Sequence, residues 1–131
     1  MRSRRTPPKK ILVCELEVSL ARELMAVLGI RSLGVDAEVC SGLAECKTKL
    51  QESNPELIFS SYSEDLMALI RSLDHGERPL PVIVVSRHPN AAQWIDAMEA
   101  GAADYCAAPF EIQQIRWLVD ANTKPTLTTA A

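Results

Sequence analysis

Pro81-Val82-Ile83-Val84-Val85-Ser86 sets four β-branched residues in succession with no polar interruption. Branching at Cβ restricts χ1 and favours extended backbone, and a run that is apolar on both faces belongs inside a parallel sheet covered on both sides. Parallel strands need crossover connections, so helices are expected on either side of the run in sequence. Upstream, Leu66, Leu69, Ile70 and Leu73 recur at helical spacing, and Leu57, Ile58 and Phe59 form a compact strand before them. Downstream, Asn90 is placed to cap a helix carrying Trp94, Ile95 and Met98, and Gly101 ends it.

The same alternation runs to both ends of the chain. Residues 11–14 are a short apolar run bounded by charge, followed by Leu20, Leu24, Val27 and Leu28 on one helical face, with Gly29 and Gly34 marking the exit. Residues 35–40 alternate apolar with acidic side chains, as a half-exposed edge strand does. Ser41 is a cap for a second helix with Leu43, Cys46 and Leu50 inward, which Pro55 stops. Residues 102–106 read as a fifth strand, and Ile112, Ile115 and Val119 line a last helix. Five strand and helix pairs in strict alternation predict an α/β fold: a five-stranded parallel sheet in the flavodoxin-like order 2-1-3-4-5, with helices on both faces. Ligands of such sheets bind beyond the carboxyl ends of the strands. The deciding positions are therefore Glu15, Leu16, Ser61, Ser86, Ala107 and Ala108.

The chain has 131 residues, 47% hydrophobic and 24% charged, enough for one globular domain with a sizeable core. The reading places that domain at 9–121, between a flexible basic arm, 1–8, and a flexible tail or linker, 122–131. Arg2, Arg4, Arg5, Lys9 and Lys10 leave nine basic against seventeen acidic residues in 11–131, a charge of −8, so the body offers no field that holds nucleic acid by phosphate neutralisation. No apolar run approaches the roughly 20 residues that span a bilayer, and 11–14 is too short for a secretory signal. A cytoplasmic protein is expected. Cys14, Cys40, Cys46 and Cys106 include no Cys-x-x-Cys pair and read as buried thiols. Cys14 and Cys40 end neighbouring strands in this order, but no known ligand spacing joins them and a histidine into a metal site. His75 and His88 fall in polar loops.

Four blocks, Ile11-Leu12-Val13-Cys14-Glu15-Leu16-Glu17, Pro55-Glu56-Leu57-Ile58-Phe59-Ser60-Ser61, Pro81 to Ser86, and Ala100-Gly101-Ala102-Ala103-Asp104-Tyr105 with Pro109-Phe110, occur in this order. Together they resemble the receiver domain of bacterial response regulators over roughly residues 10–121. The resemblance implies a CheY-like fold and a phosphoacceptor pocket made of two acids after the first strand, an aspartate after the third, a hydroxyl after the fourth and a lysine before Pro-Phe. Position by position, Glu15 matches the first acid and Ser86 the hydroxyl. Leu16 stands for the second acid, Ser61 for the phosphoacceptor aspartate and Ala108 for the lysine. The loop after Ser61 is also several residues shorter than the family's. A serine hydroxyl forms no acyl phosphate, and one carboxylate at Glu15 holds Mg²⁺ weakly or not at all, so no cofactor is expected. Glu15 has a second reading as a capping or first-turn acid of the first helix, and Ser61 and Ser86 as small hydrogen-bonded residues at strand ends.

What the resemblance implies is a pseudo-receiver: a non-enzymatic signalling module that binds a protein partner or a second copy of itself through the face of the fourth helix, fifth strand and fifth helix. Trp94, Tyr105 and Trp117 map there, and large aromatic side chains are the residues most often found as interface anchors. Tyr105 matches the family's aromatic switch residue. No membrane partner is expected. Two alternatives remain: a small-molecule or nucleotide-binding module on the same fold, weakened by the absence of glycine in residues 14–19, and a cysteine-based redox or metal sensor.

Overall fold

Parallel ladders join five strands in the order 2-1-3-4-5, as the sequence predicts. The computed structural model describes residues 7–72, 80–88 and 90–123. β1 (Lys9–Cys14) pairs with β2 (Val35–Cys40) from Lys9 opposite Val35 to Cys14 opposite Cys40. On its other side β1 pairs with β3 (Leu57–Ser60), which pairs with β4 (Val82–Ser86), and β5 (Asp104–Ala107) closes the far edge. The helices are α1 (Val18–Leu28), α2 (Gly42–Ser53), α3 (Glu64–Ser72), α4 (Ala91–Glu99) and α5 (Ile112–Asn122).

Because side chains alternate across a strand, the central strands feed two separate cores. Ile11, Val13, Leu57, Phe59, Ile83, Val85 and Cys106 pack under Leu20, Leu24 and Leu28 of α1 and Ile115, Leu118 and Val119 of α5. Leu12, Cys14, Ile58, Val82 and Val84 face the opposite way and meet Cys46 and Leu50 of α2, Leu66, Met67 and Ile70 of α3, and Ala97 of α4. Burial on both faces accounts for the apolar runs of β3 and β4, whereas β2, an edge strand, has only Cys40 buried.

Several local expectations need correction. Leu43 is 37% exposed and Ile112 is 42% exposed, since each sits in the first turn of its helix, beyond the part that reaches the sheet. Ser41 stands at the cap of α2, but its hydroxyl caps nothing; its N–H donates instead to the Glu45 carboxylate. Asn54, in the left-handed conformation with φ of 53°, ends α2 one residue before Pro55. α3 begins at Glu64, two residues before its first apolar position. β5 is shifted towards the carboxyl end relative to 102–106, because Ala102 and Ala103 are taken up by hydrogen bonds to Ala97 O and Val82 O. α5 takes in Asn122, assigned above to the tail, and Thr123 is buried with its hydroxyl donating to Val119 O. Asn90 does cap α4, accepting the Gln93 N–H at 2.7 Å. Leu73, His75, residues 1–6 of the arm and 124–131 of the tail lie outside the described residues.

Candidate functional site

At the carboxyl ends of β1, β3 and β4 the backbone is cross-tied. Glu15 follows β1 with φ of 56°, a conformation uncommon for a side chain other than glycine, asparagine or aspartate. Its N–H donates to Cys40 O of β2, and its carbonyl accepts the Ser61 hydroxyl at 2.7 Å from the end of β3. Ser60 is buried and donates to Ser61 O. Ser86 accepts the His88 N–H on its hydroxyl oxygen, and its carbonyl accepts the N–H of Ala108, which precedes Pro109 through a cis peptide bond. Leu16 and Ala108 are partly buried against the core on the α1 and α5 side. Thus Glu15 and Ser61 are joined directly and Ser86 and Ala108 through the backbone, while Leu16 and Ala108 each pack against the same core. Glu15 is not a first-turn or capping acid: Glu17 holds the cap position of α1, and α1 has no acid in its first turn.

The sequence reading missed Arg87. It follows β4 directly and reaches across to α1, donating to Glu23 at 2.9 Å and to Ser19 Oγ at 3.1 Å, with Glu17 at 3.6 Å. Those carboxylates hold its guanidinium above the usual range, the Glu23 hydrogen bond being the largest cause. A basic residue immediately beyond a strand end was the available signal. Its partners, 64 to 70 residues away, were not legible.

On the far edge, Trp94 and Tyr105 line one hollow with Asn90, Ala91 and Asp104. The Tyr105 hydroxyl donates to Gln93 Oε1 at 2.9 Å, which fixes the ring beside α4. Trp94, Ile95 and Met98 are exposed, and Ala97 is the one α4 residue that is buried. Trp117, 62% exposed, lines a different hollow with Gln113, Arg116, Asp120 and Ala121. The three aromatics therefore divide into a pair and a separate residue.

The chain matches no protein-family model. A curated relative, "Probable transcriptional regulator ycf27" of Cyanophora paradoxa, is 28% identical over 135 residues, covering 94% of this chain and 53% of the relative. The chain spans about half the length of that relative. Among solved structures, a response regulator from Thermotoga maritima superimposes with a TM-score of 0.71 at 20% identity, covering 87% of this chain and 96% of that one. The receiver domain of a sensor histidine kinase from Pseudomonas aeruginosa PAO1 gives 0.72 at 19%, covering 88% and 97%. An orphan response regulator of H. pylori gives 0.69 at 21%, covering 92% and 100%. This chain has the receiver-domain fold.

In the Pseudomonas receiver domain a magnesium ion is coordinated in the active-site cleft. Among the described residues, the equivalent end of the receiver fold here has Glu15 after β1, the Glu17 and Glu23 carboxylates taken up by Arg87, and two hydroxyls already engaged, Ser61 with Glu15 O and Ser86 with the His88 N–H. Mg²⁺ demands near-ideal octahedral oxygen geometry, gives up water reluctantly and is usually held through carboxylates. This donor set does not fit it.

Beside Glu15 lies a feature of different chemistry. The Sγ atoms of Cys14, Cys40 and Cys46 lie within 4.8 Å of one another, with Cys14 to Cys40 and Cys40 to Cys46 both 3.2 Å. All four cysteines are free and buried, and Cys106 is on the other face of the sheet. Contacts with Cys14 and then Cys46 lower the Cys40 thiol, against the opposing effects of burial and Glu38. The Cys14 thiol is pushed up by its contacts with Cys40 and Cys46 and by burial. Burial and Asp104 push Cys106 up to about 12. The sequence reading paired Cys14 with Cys40 and counted Cys46 only as an inward helix position; combining those two observations would have found the third thiol.

Proposed function

We propose that this chain is a pseudo-receiver, a non-enzymatic, cytoplasmic signalling module that acts through protein contact without phosphorylation, with Ser61 in the place of the phosphoacceptor aspartate. The observation that carries the proposal is the Ser61 hydroxyl, committed at 2.7 Å to the carbonyl of Glu15. A phosphoacceptor must present a free carboxylate oxygen, and an uncharged hydroxyl without a neighbouring base is a poor nucleophile. Leu16 and Ala108, packed against the core, supply neither a second acid nor an ammonium. Arg87, tied to Glu17 and Glu23, holds the segment after β4 against α1 and so favours one arrangement of this end of the molecule.

The output surface in this reading is the α4, β5 and α5 face. Trp94, Ile95 and Met98 form an exposed apolar strip on α4, with Tyr105 beside it and Trp117 as a second, separate anchor. Its occupant is a protein partner or a second copy of the chain. The test is capture of partners from native cytoplasm by the wild type and by the Trp94→Ala, Trp117→Ala double variant, with and without acetyl phosphate and Mg²⁺, alongside sedimentation of each protein alone. The expected result is a partner, or a self-association, that the double variant loses and that acetyl phosphate leaves unchanged. Binding that appears only with acetyl phosphate contradicts the proposal.

A further inference from the structure

Three thiols from three elements converge where α2 meets the sheet. Cys14 and Cys40 are register partners at the carboxyl ends of β1 and β2, so their side chains project to the same face. Cys46, the first buried residue of α2, comes down onto them. A buried cysteine often serves only as a small apolar residue. Here, however, α2 has just two buried residues, Cys46 and Leu50, so sulfur contact forms much of what holds it to the sheet.

We propose that Cys14, Cys40 and Cys46 form a three-thiolate binding site for one soft closed-shell metal ion, of the Cu(I) or Zn²⁺ class. With metal–sulfur bonds of about 2.3 Å, tetrahedral or trigonal coordination needs sulfur separations of roughly 3.8 to 4.0 Å. Two observed separations are 3.2 Å, about 0.6 to 0.8 Å shorter than that requirement, and all three lie within 4.8 Å. Thiolates select such ions over Mg²⁺ or Ca²⁺. As the three sulfurs bind as thiolates, their three thiol protons leave to solvent and nothing is oxidised or reduced. Residues 41–45, which lead into Cys46, are all exposed, and Gly42 takes φ of 79° at the start of α2.

The site does not depend on the reading of Ser61, and its test is separate. Reduced, chelator-stripped protein is offered one equivalent of Zn²⁺, of Cu(I), or of Cd²⁺ as a spectroscopic probe. The expected result is one ion per chain by native mass spectrometry, a Cd²⁺ thiolate charge-transfer band of three-sulfur intensity, and a raised melting temperature. Retention against a graded series of chelators distinguishes Cu(I) from Zn²⁺. Cys46→Ser should weaken binding by at least about tenfold, within the range lost even when outer-sphere partners of a metal are removed. Cys106→Ala should bind as the wild type does. If Cys46→Ser does not fold, the Cd²⁺ sulfur count on the wild type decides. The proposal is overturned if the folded, reduced wild type retains no ion, if folded Cys46→Ser retains it equally, or if the Cd²⁺ band reports fewer than three sulfurs.

Discussion

Ser61 shows how one side chain can fix the character of a strand end. Its hydroxyl closes a hydrogen bond to Glu15 O across 46 residues of sequence, and Glu15 in turn holds a left-handed backbone conformation. Ser61→Ala should lower unfolding free energy by about 0.5 to 1.5 kcal/mol, the usual net worth of one such bond, in urea titration. Ser61→Asp alone should not create acetyl phosphate uptake, measured by intact-mass spectrometry, because Leu16 and Ala108 still provide neither a second acid nor a cation. The positions of Glu15, Ser61 and Ser86 were legible in the sequence, since each follows an apolar run that could only be a strand. Their bonding was not, because it joins strand ends that only the closed sheet brings together. The same limit hid Arg87 and its carboxylates on α1.

At the scale of the element, α4 is bound to the sheet chiefly through Ala97 and is capped by Asn90. Asn90→Ala should cost about 0.5 to 2 kcal/mol, read as a fall in the melting temperature, because it leaves the Gln93 N–H without its acceptor. Trp94→Ala removes a half-exposed ring and should change stability by no more than about 0.5 kcal/mol in the same assay, while abolishing the association assigned to this face. Helical spacing located each helix but not always its inward turn. Leu43 and Ile112 carry the right period yet project beyond the sheet, and Ser41 occupies a cap position whose bonding is done by Glu45. Periodicity records that a helix has an apolar side; where along its length the sheet ends is a property of the partner surface.

Over the whole molecule, the order 2-1-3-4-5 was readable because fully apolar runs and amphipathic runs alternate strictly, and only a doubly covered parallel sheet buries both kinds. Phe59, fully buried in the central strand beneath α1 and α5, tests that packing: Phe59→Ala should cost about 3 to 5 kcal/mol in chemical denaturation. What the pattern could not supply is the lateral meeting of Cys14, Cys40 and Cys46, which needs both the register of β1 with β2 and the approach of α2. The central claim concerns the end of the molecule where β1, β3 and β4 stop. Its most direct test is an amide chemical-shift titration of the isotopically labelled chain with beryllofluoride and Mg²⁺. The pseudo-receiver account predicts that the amides of Glu15, Ser61, Ser86 and Ala108 stay in place; saturable shifts centred on Ser61 and Ser86 would contradict it.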